Sequence, residues 1–311
     1  MRLETVVLLV VSLSIAQGQP QCIRLFANST GTDSIYSSWY IFPRCDKETF
    51  RATINCLGGH SEEVQLSEKE HQWTGLRPFT QCEITVAVAN ANSIVQVERV
   101  TTWPTAGVAA EIIASETVIT NTTIYIRWRV PSGQYGDVKG YHLLGAGINA
   151  NLTRWTTEYT FTALEPFTVY NFSIAVENMP SEDALGGGLG NYTLMSYRTC
   201  SGLGRPVQNL TVIPLHREAA ISWKLHQPTF GDIEKYLIEV EDTRASIFNR
   251  DYSPNIKLPL VIPNLMPGEQ YTISVVTVNK AENGCVGSGG HSPAVRRNFK
   301  IYERSVMLHL Y

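Results

Sequence analysis

The chain has 311 residues with a formal net charge of −3, and 43% of it is hydrophobic and 10% aromatic. That is enough apolar material for packed cores. The clustered Lys and Arg that would draw nucleic acid or anionic lipid are missing, so nucleic acid is not an expected partner. Length alone suggests two or three domains.

Residues 1–18 read as a signal peptide. Arg2 precedes an apolar run from Val6 to Ile15, followed by the small-residue pattern Ala16-Gln17-Gly18. Such a core is too short to span a bilayer, and cleavage is expected after Gly18. Beyond it no run reaches the roughly eighteen apolar residues of a membrane helix, and a GPI tail is absent. The expected mature chain is therefore secreted and extracellular, without membrane insertion, and 303–311 form a polar-interrupted C-terminal tail.

The same marks then recur at intervals of roughly ninety to a hundred residues. In 21–103 they are Ile35-Tyr36-Ser37-Ser38-Trp39, Phe50-Arg51-Ala52-Thr53-Ile54, Leu76-Arg77-Pro78 and the alternating segment from Cys82 to Val88. In 105–199 a strand from Thr123 ends at Trp128, and Tyr135-Gly136-Asp137-Val138 leads to Tyr141. Leu164-Glu165-Pro166 then leads to Tyr170-Asn171-Phe172-Ser173-Ile174-Ala175-Val176. In 200–302 the counterparts are Ala220 to Trp223, Phe230-Gly231-Asp232-Ile233 leading to Tyr236, and Leu265-Met266-Pro267 leading to Tyr271. Apolar residues alternate with polar ones throughout, as strands with one buried face require.

In order and spacing these marks resemble the fibronectin type III family, with its Trp on strand B, Tyr on strand C and Leu-x-Pro turn before a Tyr-headed strand F. The resemblance implies an all-β chain of three tandem fibronectin type III-like β-sandwiches. Trp128, Trp223, Tyr170 and Tyr271 are then core residues, the strand F Tyr bonding its hydroxyl to nearby backbone. The first module departs from the pattern because Cys82 stands where that Tyr belongs, so another device must hold that end.

Six Cys in a chain with a signal peptide read as disulfides. The implied sandwich narrows the formal pairings to Cys22–Cys45 at the top of the first module, Cys56–Cys82 between its strands C and F, and Cys200–Cys285 within the third module. Six N-x-S/T sequons, at Asn28, Asn121, Asn151, Asn171, Asn191 and Asn209, mark glycosylation sites. Asn171 lies between Tyr170 and Phe172, so it must face solvent if those face the core.

A search for chemistry finds no nucleophile elbow, zinc spacing, paired His or kinase mark. Gly186-Gly187-Gly188-Leu189-Gly190 lacks the following helix of a phosphate loop and reads as a flexible hairpin. The expectation is a non-enzyme with no catalytic residue, metal or cofactor. It would be a secreted adhesion or recognition protein that binds an extracellular or cell-surface protein, with Tyr135, Asp137, Phe230 and Asp232 as candidate binding-loop residues. The alternative is the shed, spliced or truncated ectodomain of a single-pass receptor, because the modules resemble those of receptor tyrosine phosphatases and adhesion receptors.

Overall fold

The structure, a computed structural model, describes residues 22–43, 49–89, 95–130, 132–243 and 245–303. The expected signal peptide, Cys45 and all but the first residue of the expected tail lie outside the described residues.

The described chain is built of strands in six antiparallel sheets, two to a sandwich, with one short 3-10 turn at Ala114–Glu116. The first sandwich comprises β1 (Ile23–Ser29), β2 (Ile35–Ile41), β3 (Phe50–Cys56), β4 (Ser61–Leu66), β5 (Glu70–Trp73), β6 (Gln81–Val88) and β7 (Val95–Thr101). Sheet β1-β2-β5 opposes sheet β4-β3-β6-β7. The second runs through β8 (Glu111–Ile112), β9 (Val118–Ile119), β10 (Ile124–Arg129), β11 (Val138–Gly145), β12 (Ile148–Thr153), β13 (Glu158–Phe161), β14 (Val169–Asn178), β15 (Gly188–Leu189) and β16 (Thr193–Arg198). The third holds β17 (Gln208–Pro214), β18 (Ala219–Lys224), β19 (Ile233–Glu241), β20 (Ser246–Tyr252), β21 (Leu260–Ile262), β22 (Gln270–Asn279), β23 (Gly290–His291) and β24 (Val295–Lys300). In both later sandwiches the strand order repeats that of the first, with β16 and β24 pairing β14 and β22.

The chain divides into two compact units. One holds the residues up to Ala106 together with Tyr135–Asp137 and Met179–Gly188; the other holds the rest, including the bodies of the second and third sandwiches.

Each sandwich encloses its own core, and the alternation in sequence explains which side chains enter it. On β3, Phe50, Ala52, Ile54 and Cys56 point inward, meeting Cys82, Ile84, Val86 and Val88 of β6. A tryptophan on β2, β10 and β18 meets an aromatic ring on the strand that follows it edge to face: Trp39 with Phe50 at 5.7 Å, Trp128 with Tyr141 at 5.5 Å, Trp223 with Tyr236 at 5.2 Å. Burying such an indole removes about 200 Å² from water, an upper bound of about 5 kcal/mol of transfer energy. A second Trp, Trp73, is fully buried in the first sandwich. Its Nε1–H donates to the buried Ser37 hydroxyl at 3.0 Å, which removes the cost of an unpaired indole donor.

Strand ends are closed by repeated polar devices. The Tyr170 hydroxyl accepts the Glu165 N–H at 2.8 Å, and the Tyr271 hydroxyl accepts the Met266 N–H at the same distance. In the first sandwich Cys82 replaces that tyrosine, and it is joined to Cys56, its register partner on β3, with the Cα atoms 3.9 Å apart. A covalent bond thus takes the place of the hydroxyl tether. Thr102 adds a peg, its Oγ1 accepting from Thr80 N–H and donating to the Arg77 carbonyl, and Thr199 does the same for Thr168 and Glu165.

Candidate functional site

The two aromatic-Gly-Asp loops have a structural task that sequence reasoning did not anticipate. The Tyr135 carbonyl accepts the Thr105 N–H at 2.9 Å, and the Asp137 carbonyl accepts the Met179 N–H at 2.7 Å. In the third sandwich the Phe230 carbonyl accepts the Gly202 N–H at 2.8 Å, and the Asp232 carbonyl accepts the Lys280 N–H at 2.8 Å. Thr105 and Gly202 belong to the segments that lead into these sandwiches, so the repeated loop grips the entering chain through its backbone. The Tyr135, Asp137 and Asp232 side chains stay exposed, while Phe230 is half-buried under the Arg205 guanidinium, 4.5 Å above its ring.

A buried asparagine ends the strand after the Leu-x-Pro turn in both of these sandwiches, on β14 and on β22. Asn279 donates from Nδ2 to the carbonyls of Thr229 at 2.9 Å, Gly202 at 3.2 Å and Leu203 at 3.4 Å. Asn178 holds the equivalent place on β14 and accepts from Gln134. Neither asparagine stood out in the sequence, because one Asn at a strand end reads as turn chemistry.

The glycine run at 186–190 is close-packed and does not form the free hairpin expected of it. Gly187 N–H donates to the Pro104 carbonyl at 2.7 Å, and a Cβ on Gly186 would lie 2.5 Å from that same oxygen. A Cβ on Gly190 would fall 1.8 Å from the Gly107 carbonyl. These positions need glycine because backbone meets backbone there.

The Cys200–Cys285 bond forms, with its Cα atoms 6.1 Å apart, but its setting differs from the expected one inside the third module. Cys200 N–H donates to Thr120 and its carbonyl accepts from Phe167, each at 3.0 Å, so its backbone is held by the second sandwich. Cys285 lies between β22 and β23 of the third. The bond therefore staples one sandwich to the next, since the chain stays bonded to the second sandwich for two residues after β16 ends. Cys22 is disulfide-bonded, and Cys45, its expected partner, lies outside the described residues.

Of the sequon asparagines, Asn28, Asn151, Asn171, Asn191 and Asn209 are exposed and Asn121 is half-buried. Asn151 and Asn171 lie outward on one sheet, alternating with the inward Leu152 and Phe172. Sugars there would close that face to a tight protein contact.

Two groups of exposed aromatics went unnoticed in the sequence. On the outer face of β1 and β2, Arg24 sits 5.1 Å over the Phe26 ring, Tyr40 is the register partner of Arg24, and Tyr40 meets Phe42 edge-on at 5.4 Å. Tyr36, on the same face, donates to Glu70 at 2.5 Å, and this bond raises its pKa above the usual tyrosine value. In the second sandwich Trp155 is 78% exposed at the turn after β12, with the Arg154 guanidinium 4.5 Å over its ring. Phase was the available signal: Phe26 is out of step with the buried Ile23 and Leu25, and Trp155 sits in a polar turn.

Tandem sandwiches of this strand order, with a Trp–aromatic core pair and a tyrosine corner in two of them, define a fibronectin type III-like array. The chain belongs to the fibronectin type III domain family, whose sequence model matches residues 113–184 and 205–288, together just over half of it. It is similar to mosPTP-1 of Aedes aegypti, named as a receptor-type tyrosine-protein phosphatase, at 24% identity over 83% of this chain and 21% of that protein. It is similar to human receptor-type tyrosine-protein phosphatase H at 25% identity, over 83% of this chain and 22% of the relative. Tenascin-R of Gallus gallus is 29% identical over 76% of this chain and 16% of its own length. The chain thus spans about a fifth of these relatives.

Proposed function

We propose that this chain is a non-catalytic, secreted recognition protein that binds an extracellular or cell-surface protein partner. The observation that carries the reading is the pair of exposed, Arg-stacked aromatic groups, Arg24-Phe26-Tyr40-Phe42 and Arg154-Trp155. Aromatic residues and Arg dominate the binding energy of protein interfaces, and leaving them in water costs transfer energy that a partner recovers. The sandwich interiors are filled by their own side chains, so recognition falls to the outer faces and loops.

A second reading, the ectodomain of a receptor-type phosphatase, is favoured by the two phosphatase relatives that align with 83% of this chain. Both readings share the same test. The glycosylated protein is used as bait on intact cells and extracellular matrix, beside variants Trp155→Ala and Tyr40→Ala. Saturable capture of a protein that either variant weakens about tenfold or more, with unchanged circular dichroism, supports the proposal. Capture unaffected by both variants would count against it, as would hydrolysis of an aryl phosphate or ester by the purified chain. A transcript that continues past Tyr311 into an apolar span would choose the receptor form.

A further inference from the structure

We propose that the Cys200–Cys285 disulfide is a clasp opened by thiol–disulfide exchange, and that opening it turns the second and third sandwiches from one fixed body into two joined by a hinge at Cys200-Ser201.

The bond joins residues that different sandwiches hold. Cys200 is fixed to Thr120 and Phe167 of the second, whereas Cys285 sits in a turn where its N–H bonds to Glu282 and its carbonyl accepts from Ser288. Around it the loop after β22 is folded back onto the entering chain. Glu282 accepts from Ser201 N–H at 2.9 Å and from the Ser201 hydroxyl at 2.5 Å, and Gly289 N–H donates to the Ser201 carbonyl. Between the loop and the second sandwich itself, the polar link seen among the described residues is Arg198 to Glu282 at 3.0 Å. Arg198 is well exposed, and ion pairs of that kind hold weakly. Covalent closure is therefore the strong term between this loop and the second sandwich.

The two sulfurs differ in access. Cys200 is buried, whereas Cys285 is half-exposed and precedes Val286, the most exposed large apolar side chain described. An external dithiol would attack through its thiolate at Cys285 Sγ. The S–S bond breaks, its electron pair leaves on Cys200 Sγ, and that sulfur takes a proton. The second thiolate of the reagent then displaces Cys285 as a thiolate, which is protonated in turn, and the reagent ends as its own disulfide. Cys200 Sγ lies 3.4 Å from the Ile119 carbonyl oxygen, so the thiol formed there finds an acceptor in place. The other resolved bond supplies an internal contrast: Cys56–Cys82 lies between paired strands of one core, with Cys82 fully buried.

The test is a dithiothreitol titration of the whole secreted glycoprotein at neutral pH without denaturant, quenched with N-ethylmaleimide and read by peptide mapping. Cys200 and Cys285 should be labelled at reductant concentrations about tenfold or more below those needed for Cys56 and Cys82. In parallel, protease cleavage in the loop between residues 282 and 289, which the bond pins, should rise about tenfold while intrinsic tryptophan fluorescence holds. A Cys200→Ser/Cys285→Ser variant should show the same cleavage without reductant; if it is not secreted, the titration decides alone. Simultaneous labelling of both bonds overturns the proposal, and so does early labelling of Cys200 and Cys285 with no gain in cleavage.

Discussion

Replacing Asn279 by Asp should destabilise the third sandwich more than replacing it by Ala, although Asp is the smaller change in shape. The Asn279 amide is buried, and its two N–H groups are shared among three carbonyl oxygens. Two good bonds and one long one are worth about 2–3 kcal/mol net. Ala loses that, but it also removes Oδ1, which is buried without a hydrogen-bond partner and already costs about 1–2 kcal/mol in the native protein. The net loss for Ala is then about 1 kcal/mol, a fall of about 4–8 °C in the transition of that sandwich. Asp keeps the buried oxygen and turns a second one toward the three carbonyls, so when ionised it has no donor to offer. Its cost at pH 7 should be about 3–5 kcal/mol. The buried carboxyl's pKa would be raised on folding, so the Asp variant is most stable below the unfolded carboxyl pKa of about 4. It loses stability as pH rises through the folded value. Calorimetry of the whole chain, with hydrogen exchange on β19 and β22 to assign the transition, should show the Asp deficit shrinking toward pH 4. If Asp is as stable as Ala at pH 7, or if both cost under about 0.5 kcal/mol, the carbonyl-clamp reasoning is wrong.

Three further outcomes can be measured in the same way. Tyr170→Phe and Tyr271→Phe should each cost about 1 kcal/mol, because each leaves one backbone N–H without its partner, and urea melts showing no loss would remove the corner hydroxyls from the stability account. Burial pushes the Tyr141 and Tyr236 hydroxyls above the usual tyrosine pKa; their contribution is intact below about pH 10 and lost as pH rises through the folded values. Phe50 fills that place in the first sandwich, so alkaline hydrogen exchange should open the second and third sandwiches first. Gly190→Ala should cost more than about 2 kcal/mol, since its Cβ would collide with the Gly107 backbone, and an unchanged melting curve would contradict the close approach.

How much of the molecule was legible depended on whether a residue acts through periodicity. Strands and core positions were readable because alternation alone divides Phe50, Ala52 and Ile54 from Arg51 and Thr53. The exchange of a tyrosine for Cys82 could be read as a lost tether because Cys56 stood at the matching end of the partner strand. The role of Cys200 could not be read, since it depends on how far the chain stays bonded to the second sandwich after β16 ends, and no pattern marks that. The glycine run was misjudged for a related reason: composition suggests freedom, whereas close backbone approach uses the same residue for packing.

The aromatic-Gly-Asp loops show how repetition bears on function. A feature that a tandem array needs at every junction must recur in each module, whereas a contact with one partner need occur only once. Tyr135-Gly136-Asp137 and Phe230-Gly231-Asp232 recur at the same offset from the following strand, and in both the carbonyls of the aromatic and the Asp are spent on neighbouring chain. By the same reasoning the features without counterparts are the ones free to recognise. Trp155 has none at the turn after β20, nor does the Arg24-Phe26-Tyr40-Phe42 group at β17 and β18, where, with Trp223 matching Trp39, Gln208, Thr211, Lys224 and His226 stand. Recognition is therefore to be sought where the repeat breaks, at the Trp155 turn of the second sandwich and at the Arg24–Tyr40 end of the outer sheet of the first, away from the Asn28 sequon opposite Tyr36.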